Sequence, residues 1–194
     1  VALTSVTDYS PASLVCVAGI ALVLLFVVLP PAARAADSAA SQASDKAGAI
    51  EAELVERWDT RYRAQNRPAW DTGRPSSELK RLVEQQVLRP CRVLELGCGT
   101  GMNAVYLARR GFEVTAIDLA PSALKTARER ALEAGVEVRW IQADVTNPPP
   151  LEPFDLIFDR GCYHGVRRQS ASGYVATVEA LCRPGGRVLI LAGN

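Results

Sequence analysis

The stretch Arg92-Val93-Leu94-Glu95-Leu96-Gly97-Cys98-Gly99-Thr100-Gly101 constrains this chain more than any other. Val93, Leu94 and Leu96 are β-prone or apolar residues, bounded by Pro90 upstream and by three alternate glycines downstream. That pattern predicts a short buried strand running into a tight turn. Met102 to Arg110 then carries good helix formers, with Val105, Tyr106 and Leu107 among them, so a helix follows at once. Strand, turn and helix start together make a binding site. Glycines let the backbone approach a ligand with no Cβ in the way, and a helix N-terminus presents unpaired N–H groups to an anionic group.

Glycine spacing narrows the ligand. A dinucleotide fingerprint, Gly-x-Gly-x-x-Gly, wants its third glycine where Met102 stands. Here glycines fall at 97, 99 and 101, with Glu95 two positions before the first. Taken alone, the triplet also reads as an ordinary strand-to-helix turn. With Glu95 it resembles the loop of class I methyltransferases that use S-adenosylmethionine (SAM). The resemblance implies that Glu95, Gly97, Cys98, Gly99, Thr100 and Gly101 wrap the methionine end of SAM.

The chain has 194 residues, enough for one domain of ordinary size plus an appendage. A net charge of +1 with both signs interspersed gives no nucleic-acid-binding surface, so no nucleic-acid partner is expected. Five cysteines without Cys-x-x-Cys spacing, and a single histidine, His164, argue against a disulfide framework or a metal site. Ala12 to Leu29 is uncharged and mostly apolar. Because the first basic residue, Arg34, follows this run, a membrane anchor with the rest of the chain in the cytoplasm is predicted. Two alternatives stand beside it. Ala33-Arg34-Ala35 fits a signal peptide cleaved near Ala35, with export of the remainder, and the initial Val1 allows a leader foreign to the natural start. The expected division is a hydrophobic leader at 1–35, a linker rich in Ala, Ser and Asp at 36–48, and a catalytic domain at 49–194.

In that domain, Ile50, Leu54, Val55, Trp58 and Tyr62 stand at near-helical spacing. The turn-rich segment Asn66 to Pro75 holds Trp70, which on its own reads as the anchoring aromatic of a surface loop. Ser76 or Ser77 caps a helix with Leu79, Leu82 and Val83 as its buried stripe. Past the central unit, Gly111 ends the helix and Phe112 to Asp118 forms a second strand. An α/β crossover places Asp118 beside the first strand's end, where its carboxylate can accept hydrogen bonds from both ribose hydroxyls of an adenosine ligand. Leu119 follows in the same binding turn. Pro121 opens a helix with the stripe Ala123, Leu124, Ala127, Ala131 and Leu132, ending at Gly135. A third strand, Val136 to Gln142, leads into Asp144 and Val145, and a fourth runs from Phe154 to Asp159. Asp159-Arg160-Gly161-Cys162-Tyr163-His164 then leaves on the same edge as Glu95 and Asp118 and reads as the substrate-facing turn. A helix presenting Tyr174, Val175, Val178 and Leu181, the turn Arg183 to Gly186, and a fifth strand, Arg187 to Leu191, complete the pattern.

From Trp58 to Asn194 the chain resembles the thiopurine/thiol-methyltransferase-like branch, which includes tellurite-resistance-type enzymes. The residues that carry this are Trp58-Asp59-Thr60-Arg61-Tyr62, Trp70-Asp71-Thr72-Gly73-Arg74-Pro75 and the Asp159-Arg160-Gly161 turn. The resemblance implies an α/β, doubly wound Rossmann-like sheet and a monomer acting on a small molecule. It also implies a lid holding Trp70 over the cofactor, with Asp144 and Val145 at the adenine. It departs from the family in two ways: five strands are found where seven are usual, so C-terminal strands are expected to be missing, and there is a hydrophobic leader. Arg160, Asp159 and His164 are the catalytic candidates. Arg160 lowers the pKa of an acceptor thiol or serves as scaffold, and His164 is a base for a hydroxyl acceptor or a structural residue. Cys98 and Cys162 need no nucleophilic role, because direct methyl transfer uses no enzyme thiol. The function implied is methyl transfer from SAM to a small acceptor, a thiol or similar soft nucleophile. The alternatives are a SAM-binding but inactive truncated module and a Rossmann-type oxidoreductase, the latter disfavoured by Met102.

Overall fold

The predicted strand-turn-helix unit sits at the centre of a five-stranded sheet. The structure is a computed structural model in which residues 48–64 and 68–191 are described. Strands β1 (Arg92–Leu96), β2 (Glu113–Asp118), β3 (Arg139–Gln142), β4 (Phe154–Arg160) and β5 (Cys182–Leu191) pair in the order β3-β2-β1-β4-β5, every pair parallel. Leu94 of β1 faces Thr115 on one side and Ile157 on the other. Both faces of β1 are covered, which is why it reads as a near-continuous apolar run. Val93 packs with Leu79, Leu107, Leu124 and Phe158, whereas Leu94 and Leu96 pack with Ile117, Ile157, Tyr174 and Leu181. The chain winds outward from β1 through β2 to β3, then returns to β4 and β5. Between β1 and β4 lies the switch point at which open α/β sheets hold ligands.

The helices are α1 (48–63), α2 (Ser77–Glu84), α3 (Met102–Ala108), α4 (Pro121–Ala134) and α5 (Cys162–Leu181). Ser76 caps α2, its hydroxyl accepting from Leu79 N–H at 3.4 Å. In α4, Ala123, Leu124, Ala127 and Ala131 are buried as expected, but Leu132 is 83 % exposed. It sits one position past Ala131, rotated about 100° off the stripe. β3 begins at Arg139 rather than Val136, because the Val136 N–H is used to close α4 by donating to the Ala131 carbonyl at 3.0 Å. The segment read as a substrate-facing turn is the end of a strand, Gly161 and the start of a helix. β4 runs through Arg160, and α5 starts at Cys162 because Asp159 accepts from the N–H groups of Cys162 and Tyr163, both at 2.9 Å. α5 kinks at Ser170 (φ −153°, ψ 68°), so its first half can follow the sheet edge while Tyr174 and Leu181 enter the core.

α1 is fastened to the sheet by a distant contact. Asp59, 7 % exposed, accepts from the Ser122 N–H at 2.7 Å and from its hydroxyl at 3.1 Å, and pairs with Arg63 Nε at 3.0 Å. Ala120 at the α4 N-cap position has no side-chain oxygen, so Asp59 caps α4 from another helix. Trp58 and Tyr62, flanking Asp59, are thereby brought to the carboxyl edge of the sheet.

No helix among the described residues is long and apolar enough to cross a membrane. Among the described residues, therefore, nothing supports the expected transmembrane anchor, the membrane as a partner or the membrane-bound, cytoplasm-facing placement derived from them. Ala12 to Leu29, the leader 1–35 with its cleavage site and nearly all of the linker lie outside the described residues. The further antiparallel strands implied by the resemblance are not among the described residues either.

Candidate active site

A cavity of about 670 Å³ opens at the switch point. The sheet contributes Gly97 after β1, Asp118 and Leu119 after β2, Asp144 and Val145 after β3, and Arg160 at the end of β4. The other wall is made by Trp58, Arg61 and Tyr62 of α1, by Trp70, and by Cys162 and His164 of α5.

Only the first glycine of the loop faces this space. Gly97 packs so closely on α5 that a Cβ would lie 2.5 Å from that of Cys162. The remaining loop residues, expected to wrap SAM, shape the loop from behind. Gly101, at φ +77°, brings α3 against α4: a Cβ there would lie 2.7 Å from Ala127 Cβ and from the Trp140 ring. Gly99 lies under the Tyr62 hydroxyl, which accepts from Trp70 Nε1 at 3.2 Å. Cys98 is buried, its thiol on the Gly99 carbonyl at 3.8 Å. The Thr100 hydroxyl donates to Asp71 at 2.9 Å, and Arg130 donates to the Thr100 carbonyl at 2.8 Å and to its hydroxyl. Through Asp71, Thr100 ties the Trp70 segment to the loop.

Glu95 is 1 % exposed and does not reach the cavity wall. Its Oε1 accepts from Asn103 Nδ2 at 3.1 Å, and the Asn103 carbonyl oxygen accepts from the Ser76 N–H at 2.8 Å. Oε2 has no partner among the described residues. Burial lifts this carboxyl from its ordinary 4.5 to about 8, with the Asn103 hydrogen bond opposing. An acid whose pKa is higher folded than unfolded keeps its proton in the native state while the unfolded chain gives it up. Stability from this group is therefore present below pH 4.5 and falls until about pH 8. Urea denaturation of Glu95→Gln at pH 5 and pH 8 should show a smaller loss between the two than the unaltered protein shows; equal losses would remove Glu95 as the source.

Asp118 is 8 % exposed; Oδ2 accepts from the Gly99 N–H at 2.7 Å and Oδ1 from the Ala120 N–H at 2.9 Å. Burial raises its pKa while the Ala120 and Gly99 donors oppose that. Asp144 accepts from the Thr146 N–H at 2.8 Å and also lines the cavity. Asp159 departs from expectation. It has no exposed surface and does not line the cavity, because Cys162 N–H, Tyr163 N–H and the Tyr174 hydroxyl, at 2.6 Å, take its oxygens. Burial raises its pKa against those bonds. It is sealed off from any acceptor, and its place is to position Arg160 and α5.

Arg160 is exposed to the cavity, has no carboxylate within ion-pair range among the described residues, and donates to the Trp70 carbonyl at 3.1 Å. Pairing with Asp159 as scaffold is therefore not what the structure shows. His164 lines the same wall, with no side-chain hydrogen bond among the described residues. The Cys162 thiol is pushed well up, by burial first and then by Asp159 and Asp118, so it stays protonated and unreactive. Sequence reasoning missed Asn103 and Arg130, and it gave Asp59 and Tyr62 no role beyond the signature segment that carries the resemblance. Tyr62, four residues from Trp58 on one helix face, left a readable signal besides.

The chemistry of the wall suits SAM. A carboxylate at the end of β2 and another after β3 face a mostly apolar space, beside a loop whose backbone is bare at Gly97. Residues 93–186 match the family model described as a methyltransferase domain. A curated relative, 2-heptyl-1-hydroxyquinolin-4(1H)-one methyltransferase of Mycobacteroides abscessus, is 32% identical over 127 residues, 64% of this chain and 56% of that protein. A structure described as "Conversion of a Disulfide Bond into a Thioacetal Group during Echinomycin Biosynthesis" superposes with a TM-score of 0.64 at 32% identity, covering 70% of this chain and 58% of that one. A SAM-dependent methyltransferase from Thiobacillus denitrificans, in complex with S-adenosyl-L-homocysteine, gives a TM-score of 0.51 at 28% identity over 60% of this chain and 48% of that one. The chain spans about half the length of the curated relatives it matches.

Fold, cavity and likenesses agree on a class: the chain has the fold of class I SAM-dependent methyltransferases, a Rossmann-like parallel sheet, and its residues 93–186 match a methyltransferase domain. SAM is the cofactor of that domain.

Proposed function

We propose that the protein, through the domain at 49–194, methylates a small-molecule acceptor bearing a thiol or a similar soft nucleophile, as enzymes of the thiopurine/thiol-methyltransferase-like branch do. One observation carries this reading: among the described residues the acceptor side of the cavity holds a cation, Arg160, but no oriented base. Asp159 is sealed, and His164 has no partner among those residues to fix its ring. A thiol, with a reference pKa of about 8.5, ionises without a strong base, and a neighbouring guanidinium favours the thiolate further. The likeness to the structure described for thioacetal formation supports sulfur as the accepting element.

Bound SAM supplies a methyl group made electrophilic by a positively charged sulfur. On this reading Asp118 accepts from the ribose hydroxyls, Asp144 accepts from the adenine amine, and the Gly97 backbone meets the methionine end. Trp70, held by Tyr62 and Arg160, covers the cavity and excludes water. Arg160 holds the acceptor's anion in line for attack, and positioning of that kind supplies much of the rate.

Incubation with methyl-labelled SAM and a panel of thiols and small phenols tests the reading. Labelled thioether supports it. SAM binding without any labelled product would favour the inactive module, and labelled ether alone would favour a hydroxyl acceptor like the one in the mycobacterial relative's name. Arg160→Ala should keep SAM affinity and lower turnover at pH 7 about tenfold, the loss shrinking above the thiol's own pKa. Arg160→Lys should recover part, since a point charge remains without the planar fork. A loss that does not change with pH would leave Arg160 holding only the Trp70 segment.

A further inference from the structure

A second cation of the cavity, Arg61, is not used in the chemistry just described. It follows Trp58 by three residues in α1, so the two share a helix face. Its guanidinium carbon lies 4.6 Å from the Trp58 ring centroid and 5.5 Å from that of Trp70, and the two rings meet edge to face at 6.3 Å. Among the described residues it has no carboxylate within 4.0 Å and donates no hydrogen bond, although Arg63, two residues on, pairs with both Glu56 and Asp59. The two rings hold the guanidinium without using its N–H groups. Those N–H groups form a planar fork matched to a carboxylate.

The cavity is polarised around this group. Its carboxylates, Asp118 and Asp144, stand at the strand ends where the cofactor is held, whereas Arg61 and Arg160 stand by Trp70, with Leu54, Trp58 and Val166 as apolar wall. We propose that Arg61 is a specificity-determining residue and that the acceptor is an aromatic acid. Its carboxylate is bound by the Arg61 fork, its ring lies against Trp58 and Trp70, and its methyl-accepting atom is a separate group at Arg160. The last element rests on the function proposed above; carboxylate recognition by Arg61 does not.

The test uses the full chain saturated with S-adenosylhomocysteine, titrated with 2-(methylthio)benzoate and with thioanisole, which differ only in the carboxylate; tryptophan fluorescence and calorimetry report binding. The benzoate should bind at least tenfold tighter. Arg61→Ala should remove that preference, and Arg61→Lys should restore part of it, with S-adenosylhomocysteine affinity unchanged in both. Equal binding of the two probes would overturn the proposal. So would a parallel loss of S-adenosylhomocysteine affinity in Arg61→Ala, which would assign the fork to the cofactor's own carboxylate. Turnover with labelled SAM then separates the two readings. Failure to methylate either 2-mercaptobenzoate or benzenethiol, with the binding preference intact, sinks the thiol reading and leaves Arg61 in place. Methylation of both with equal KM sinks the role of Arg61 alone.

Discussion

Asp118→Ala is expected to weaken SAM and S-adenosylhomocysteine binding a hundredfold or more. On the proposed reading two ribose hydroxyls lose a charged acceptor, and hydrogen bonds to a charged group are worth about 1.5–3 kcal/mol each. At about 1.4 kcal/mol per factor of ten, even the lower figure for both gives two orders of magnitude. Loss of the carboxylate also frees the N–H groups of Gly99 and Ala120, so the glycine loop and the start of α4 lose their common anchor. Asp118→Asn, with one oxygen left to accept, should fall between the two. Calorimetry that finds Asp118→Ala within threefold of the unaltered protein would remove Asp118 from the ribose.

The second large effect is on stability. Gly101→Val should cost about 3 kcal/mol, since a left-handed residue with a Cβ costs about 1–2 kcal/mol and overpacking a filled site about 1–3 kcal/mol. The new Cβ would meet Ala127 Cβ and the Trp140 ring at 2.7 Å and the Ala127 backbone at 3.2 Å, and the backbone cannot yield as a side-chain tip can. Gly135, at φ +64° with nothing within 4 Å of its Cβ position, is the control for the backbone cost alone. Urea denaturation should therefore place Gly101→Val well below Gly135→Ala. Equal midpoints would mean that α3 and α4 separate freely and that the loop does not depend on their contact.

The glycines also show how far sequence reasoning reached. Their spacing was enough to place a turn between β1 and α3 and to set aside the dinucleotide fingerprint, yet the resemblance it supported assigned all three to the ligand. One of them faces the cavity; Gly101 is spent on packing against α4. Turn chemistry is local and readable, but what a turn leans on is not.

The same division runs through the chain. Apolar period, strand-ending glycines and Pro121 act over a few residues, so the sequence by itself determined the five strands, their helices, and the arrival of Asp118, Asp144 and Arg160 at one sheet edge. Side-chain partners depend on residues far away in sequence. Asp59 caps α4 across 63 positions, the Asp71–Thr100 bond spans 29, and the Tyr174 hydroxyl seals an Asp159 that its sequence position marked as catalytic. Arg61 carries the same charge and the same sequence character as Arg63. Only the folded packing, which pairs Arg63 with Glu56 and Asp59 and leaves the Arg61 guanidinium facing the cavity, separates a structural arginine from one free to meet a ligand.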